Sequence, residues 1–345
     1  MRTDAVVSPS PRPSPRKPGE GEAATTFSLI VLSYQSGRYI ERCLAALEAF
    51  DAEIVLADNG SGDLDWPGLK ARFPKVKLLP FGDNLGFAAG NNRAAKEATG
   101  EWLGFINPDA FADAGWLDAM QTAVHARPDI AIFTSLQLDA ENPAIMDGAG
   151  DGMTFFGFPF RMGYRRPLPS ELKPAEVLSP CGAAFVIRRD LWDRLGGFDE
   201  RYFCYCEDAD LGQRAFLLGH PTLFVPDAKV AHIGSATFGA RSDFALWHGY
   251  RNRPWLYLKT MPLALLWWNL PVHIAITLAF ALKDTLKGRG GIVWPALWAS
   301  LEGMGPILKT REHVQKSRTI SALRLAKFLT WNPVKIALRD VDHRR

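Results

Sequence analysis

The sequence predicts an α/β fold: a mainly parallel sheet flanked by helices, followed by an apolar and basic helical extension. Three observations predict it. Apolar strand-like runs alternate with segments of helical period from residue 27 to 134. The runs end in polar residues. Residues 260–282 contain no Asp, Glu, Lys or Arg, and ten Lys/Arg against three Asp/Glu follow from Lys309 to Arg345. At 345 residues and 47% hydrophobic the chain can bury a full-sized core, and its net charge of +3 gives no sign of a nucleic-acid partner.

Residues 1–26 hold Pro9, Pro11, Pro13, Pro15 and Pro18 among Ser, Gly and charged residues, a composition that reads as a disordered tail without a part in catalysis. The N-terminus shows no apolar stretch of secretory type, and Cys43, Cys181, Cys204 and Cys206 lack zinc or thioredoxin spacing. Reduced thiols in a cytoplasmic protein are expected. At Phe27 the pattern changes to "FSLIVLS", a strand, and beyond Gly37 the residues Tyr39, Ile40, Cys43, Leu44 and Leu47 fall at helical spacing. Strands follow at "EIVLAD" (53–58) and "VKLLPF" (76–81), a helix over 87–98, a strand at "WLGFI" (102–106), a helix over 115–127 and a strand at "IAIFT" (130–134). Such continuous apolar runs belong to a sheet covered on both faces.

Ligands of such sheets collect beyond the carboxyl ends of the strands. Those ends carry Ser33-Tyr34, Asp58-Asn59, and Asn107 with Asp109. Asp and Asn also cap helices and shape turns, so the ends alone leave both readings open. Residues 136–180, rich in Pro and Gly, read as long loops over the sheet. Residues 182–220 read as strand, short helix, Gly-Gly turn, aromatic loop and helix, with Glu207, Asp208 and Asp210 where the last helix begins. Asp210 and Arg214 are spaced to pair on that helix's surface.

The uncharged run 260–282 is long enough to cross a bilayer, but Trp267, Trp268, Asn269, Pro271 and His273 interrupt it, and paired tryptophans favour the headgroup boundary. A second Trp-bearing run, 292–308, contains Glu302. The preferred reading is a helix, or broken pair, lying in or shallowly entering the inner face of the cell membrane, with the basic tail drawn to anionic lipid. Burial against the domain or a partner is the alternative. The expected domains are 1–26, 27–255 and 256–345.

Taken in order, "VLSYQS" (31–36), "ADNGS" (57–61), "DNLGFAAGNN" (83–92), "INPDA" (106–110), "GAAFVIRRDLWDRLGGFDERYFCYCEDADLGQR" (182–214) and "HIGSATFG" (232–239) resemble the inverting, metal-dependent GT-A glycosyltransferases of family 2, which include bacterial rhamnosyltransferases and galactofuranosyltransferases. The resemblance implies a nucleotide-sugar donor and a divalent cation, Mg2+ or Mn2+, that neutralises the departing pyrophosphate. Asp109 is its implied ligand. Family members usually carry D-x-D here; this chain has Asn107-Pro108-Asp109, leaving Asn107 to offer an amide oxygen or contact the ribose. The resemblance also points to His232 as a second metal ligand and to Asp208 as the base for the acceptor hydroxyl, with Glu207 orienting the acceptor or the surroundings of Asp208. A helix N-terminus favours an ionised carboxylate at Asp208.

The resemblance further assigns Asp58 to the imide N–H of uracil or thymine and Tyr34 to the ring face, with Ser33 and Asn59 at the same strand ends. Asn84 and the Gly86–Asn92 segment, Asn91 included, resemble the loop and helix start that approach the nucleotide. "HGYRNR" (248–253) offers Arg251 or Arg253 to the pyrophosphate, or is a solvated basic face. The activity this implies is transfer of a sugar, L-rhamnose from dTDP-rhamnose foremost, to a lipid-linked or polysaccharide acceptor in cell-surface glycan synthesis. The alternative, suggested by the missing acid, is a non-catalytic scaffold that binds nucleotide or glycan. A dinucleotide oxidoreductase is excluded, because "LSYQSGRY" stands where G-x-G-x-x-G would follow the first strand.

Overall fold

The structure, a computed structural model, describes residues 25–234 and 242–343. The predicted tail lies outside the described residues except for its last two, as does most of the "HIGSATFG" stretch. Strands β1 (Phe27–Ser33), β2 (Glu53–Asp58), β3 (Lys77–Pro80) and β4 (Trp102–Ile106) run parallel in the order β3-β2-β1-β4. Helices α1 (Gly37–Leu47), α2 (Trp66–Arg72) and α3 (Gly86–Ala95) connect them. Their continuous apolar runs have a direct cause: Leu29, Val31 and Leu56 pack on one face of the sheet, and Ile30, Leu32 and Val55 on the other. The unforeseen α2 carries the usual start signals, with Asp65 accepting from the Gly68 N–H and Pro67 in the first turn.

Beyond β4 the sheet turns mixed. After β5 (Ala110–Ala112) and α4 (Trp116–Ala126), β6 (Ile132–Asp139) runs five residues past its predicted end, and β7 (Ile145–Gly148), β8 (Asp151–Met153), β9 (Pro159–Arg161), β10 (Arg166–Pro167) and β11 (Ala175–Val177) occupy the region expected as loops. The extra length of β6 escapes an apolar-run reading because Ser135 and Gln137 are polar yet buried. Trp116 Nε1 donates to Ser135 Oγ at 2.8 Å, and Gln137 Nε2 donates to the Cys181 carbonyl at 3.3 Å. β12 (Ala184–Arg188) lies antiparallel between β4 and β6 and leads into α5 (Arg189–Leu195). After a 3-10 turn at Glu200–Tyr202 comes α6 (Glu207–Leu217), then the long β13 (Thr222–His232), parallel to β6 and antiparallel to β5.

The expected boundary at residue 255 falls inside α7 (Asp243–Thr260), whose Leu256 and Tyr257 are buried with Tyr202 and Phe216. Asp210 also departs from expectation. Its pair with Arg214 at 2.7 Å is buried rather than on a helix surface, because Lys259 of α7 reaches in to both Asp210 (2.8 Å) and Asp199 (2.6 Å). Next come α8 (Leu263–Asp284), a π turn at Thr285–Arg289, α9 (Gly290–Glu302), α10 (Met304–Ser317), α11 (Ala322–Phe328) and α12 (Pro333–Leu338). Gly288, with φ +81°, breaks the apolar stretch in two. Leu263–Glu302 is long and apolar enough to cross a membrane, and Trp267, Trp268 and Trp298 on it are 68%, 79% and 63% exposed.

Candidate active site

The antiparallel placement of β12 brings distant residues together. Ala184, at its start, pairs with Ile106, at the end of β4, and the Asn107 N–H donates to the Ala183 carbonyl at 2.9 Å. The Asn107–Asp109 turn therefore meets Gly182. In turn, β13 sets His232 opposite Ala110, and the Ile233 N–H donates to the Asp109 carbonyl. Asp109, His232, Gly182 and Asp208 all line one cleft of about 1250 Å³.

On one wall His232 is buried between two carboxylates, Nδ1 at 2.7 Å from Asp147 and Nε2 at 3.4 Å from Asp109. Burial alone would depress its pKa, but the hydrogen bonds to Asp109 and Asp147 hold it above the ordinary histidine value. Asp147 is kept below the usual carboxylate range despite burial, by His232 and by Arg161, which pairs with it at 2.5 Å. With Asp147 accepting at Nδ1, the Nε2 edge faces Asp109 and a hard cation could share the two groups; this arrangement fits a metal ligand pair with an outer carboxylate fixing the ring.

The other wall is the start of α6. Asp208 Oδ2 accepts from the Gly182 N–H at 2.9 Å and Oδ1 from the Ala209 N–H at 2.7 Å. These bonds and the helix terminus act against burial, yet burial prevails and raises the Asp208 pKa, where the dipole alone would keep it low. Glu207 is pushed up further by burial and by the charge of Asp208, and its Oε2 has no hydrogen-bond partner. A half-buried carboxylate of raised basicity, beside a buried one with an unpartnered oxygen, is an arrangement suited to taking a proton from a hydroxyl. Gly182 is required here, since a Cβ would stand 2.7 Å from Asp208 Oδ2.

The loop entering α6 is strained: Phe203, Tyr205 and Cys206 all adopt positive φ. Asn252 of α7, fully buried, holds it in place, donating from Nδ2 to the carbonyls of Tyr202, Cys204 and Tyr205 at 3.0, 2.9 and 2.7 Å. Of the two arginines in "HGYRNR", Arg253 lines the cleft, whereas Arg251 donates to the carbonyls of Arg201 and Tyr202.

Among the residues expected to bind the donor, Tyr34, Asn59, Asn84, Asn107 and Asp109 line the cleft. Asn59 acts largely within the protein: its amide donates to Asn84 Oδ1 and the Gly86 carbonyl and accepts from the Leu85 N–H, which shapes the loop carrying Asn84. Ser33, Asp58 and Asn91 are buried beside this region rather than on the cleft wall. Ser33 Oγ bonds Ser36, Asp58 accepts from Ser61, and Asn91 donates to the Phe87 carbonyl. Sequence reasoning missed Asp147, Asp151 and Arg161, which line the cleft, and Asn252. The first three sit on the short strands of the 136–180 region, where no periodic pattern singled them out.

Residues 28–196 match Glycosyl transferase family 2, and residues 154–302 match Glycosyl transferase family group 2. The N-acetylglucosaminyl-diphospho-decaprenol L-rhamnosyltransferase of Mycobacterium tuberculosis (strain ATCC 25618 / H37Rv) is 30% identical over 292 residues, 76% of this chain and 93% of that protein. The O-antigen biosynthesis protein RfbC of Myxococcus xanthus is 30% identical over 221 residues, 61% of this chain and 17% of that protein. In structure, S. aureus TarS 1-349 in complex with UDP-GlcNAc matches with a TM-score of 0.53 at 18% identity, over 91% of this chain and 92% of that one. GalNAc-T7 with UDP, GalNAc and Mn2+ matches with a TM-score of 0.51 at 17% identity, over 67% and 51%. These structural likenesses establish a shared GT-A-type fold.

Proposed function

We propose a specific reaction for this chain, which belongs to glycosyltransferase family 2 and is a rhamnosyltransferase-like glycosyltransferase: inverting, metal-dependent transfer of L-rhamnose from dTDP-rhamnose to a lipid-linked acceptor at the inner face of the cell membrane. One observation carries the reading. The Asp109–His232–Asp147 cluster and the Glu207–Asp208 pair face the same cleft, so the residues read as cation ligands and those read as the base border one space. The acceptor class is supported by the mycobacterial relative, whose name specifies a diphospho-decaprenol-linked substrate. The exposed tryptophans of α8 and α9 support a membrane site for it.

In this reading Asp109 and His232 would hold Mg2+ or Mn2+, with Asp147 fixing the imidazole. When bound, the cation supplies positive charge that stabilises the departing nucleoside diphosphate. Asp208 accepts the proton of the acceptor hydroxyl as its oxygen bonds to the anomeric carbon and the bond to the diphosphate breaks on the opposite face. Glu207 orients that hydroxyl. Tyr34 and the Asn84 loop border the nucleotide, and Asn107 contacts the donor.

The test is transfer by the full chain from dTDP-rhamnose, with UDP-sugars alongside, to a prenyl-diphosphate-linked N-acetylglucosamine, with and without EDTA. Transfer from dTDP-rhamnose that stops on chelation and returns with Mg2+ or Mn2+ is expected. Turnover of only a UDP-sugar would overturn the donor, and undiminished turnover in EDTA would overturn the metal.

A further inference from the structure

Three guanidinium groups gather around one ring. Those of Arg161, Arg165 and Arg339 stand 5.5, 5.4 and 5.2 Å from the centroid of Tyr164. All three line the cleft that holds Asp208, as does Arg253. Arg161 is neutralised by Asp147. Among the described residues, Arg165, Arg253 and Arg339 form no ion pair with a carboxylate; Arg253 Nε donates to the Gly249 carbonyl, and its guanidinium lies 5.1 Å from the Phe158 ring centroid. Contact with an aromatic face offsets only part of the repulsion among like charges, whereas an anion seated among them reverses its sign.

The position of this cluster indicates which anion. Phe158 also touches α8, with ring centroids 5.3 Å from His273 and 5.9 Å from Phe280. Leu338 of α12, next to Arg339, lines the cleft and is partly exposed, and Trp331 just before α12 stacks on Phe155 at 5.1 Å. The carboxylates and guanidinium groups of the cleft thus share one surface, and Arg253, through Phe158, and Arg339, through Leu338, adjoin aromatic and apolar side chains. A molecule that joins a sugar hydroxyl, a diphosphate and a hydrocarbon chain presents the chemistries complementary to these groups.

We propose that Arg165, Arg253 and Arg339 form a subsite for the diphosphate of the acceptor, set between the base that receives its sugar and the apolar helices that receive its hydrocarbon. The proposal rests on the lipid-linked reading of the acceptor above. It assigns these arginines to the acceptor and not to the diphosphate of the nucleotide-sugar, which has the Asp109–His232 wall.

The experiment is titration calorimetry on the full chain in detergent, with farnesyl diphosphate or farnesol as probe and dTDP saturating. The wild type is expected to bind farnesyl diphosphate more tightly than farnesol, and the Arg165→Ala/Arg339→Ala double variant to weaken that binding by about tenfold or more while farnesol and dTDP affinities move less than twofold. Both side chains are exposed, and unchanged circular dichroism checks the fold. Equal weakening of dTDP would assign the arginines to the donor and overturn the proposal; so would undiminished farnesyl diphosphate binding, including a variant whose only loss is flotation with anionic phospholipid vesicles. Binding is read without turnover, so a wild type that binds the probe but transfers no sugar refutes the proposed reaction and not this subsite.

Discussion

The acids in the first turn of α6 live in opposite surroundings. Asp210 is fully buried against Arg214, Lys259 and the Tyr202 hydroxyl, so its charge is matched on every side. Glu207, buried, and Asp208, half-buried, precede it in the helix; Asp208 accepts only backbone N–H bonds, Glu207 has an oxygen with no partner, and the charge of Asp208 adds to burial in raising the pKa of Glu207. The matched charge joins α6 to α7. The unmatched pair keeps its affinity for a proton, which is what a general base requires. The string "EDAD" does not separate the two roles; what separates them is that Lys259, far along the chain, reaches one acid and not the others.

The sharpest way to break this comparison is Asp208→Asn, expected to lower kcat by about 10²–10⁴-fold while nucleotide affinity stays within twofold and the fold is kept. Near-normal turnover would show that the unmatched pair is not the base. Next in size is Lys259→Met, which removes one of two cations from each acid, leaving Asp210 with Arg214 and Asp199 with Arg201, and is expected to cost about 2–3 kcal/mol in urea unfolding, with part of the loss recovered in Lys259→Met/Asp210→Asn. Asp147→Asn tests an intermediate setting, a carboxylate matched by Arg161 and His232, and is expected to weaken Mn2+-dependent nucleotide binding by about 10–100-fold.

The smallest effect concerns pH. Because the pKa of Glu207 is raised in the folded protein, its contribution to stability is fully present below the ordinary glutamate value of about 4.3 and is lost as pH rises through the folded value. Glu207→Gln removes that loss. The variant is expected to be more stable than the wild type at pH 8, with the advantage fading toward pH 4 in thermal melts. A constant difference across that range would show that Glu207 titrates normally.

The parallel half of the sheet was legible because Leu29 to Leu32 and Ile54 to Ala57 are buried on both faces and leave unbroken apolar runs. The later strands were not, because Ser135 and Gln137 lie inside the protein on hydrogen bonds that only the folded chain supplies. The same divide holds for the cleft. Asp109, Asp208 and His232 stand in recognisable strings, and pairing of β4, β12 and β13 brings those strings together. Asp147 and Arg161 matter through their contacts, and Asn252 through three carbonyls some fifty residues earlier, relations that no local spacing records. Ser33, Asp58 and Asn91 teach the converse: polar residues at strand ends and in a helix turned inward to shape loops.

One contact joins the two substrate sides. A Cβ on Gly86 would lie 2.5 Å from the Phe203 ring, and the Ala88 N–H donates to the Phe203 carbonyl at 3.1 Å, so the Asn84 loop and the loop ahead of Asp208 press directly on one another. For the reaction proposed above, this contact favours compulsory-order addition, with nucleotide-sugar seated first and the hydroxyl substrate second; dTDP should then inhibit competitively against the sugar donor and as a mixed inhibitor against the acceptor.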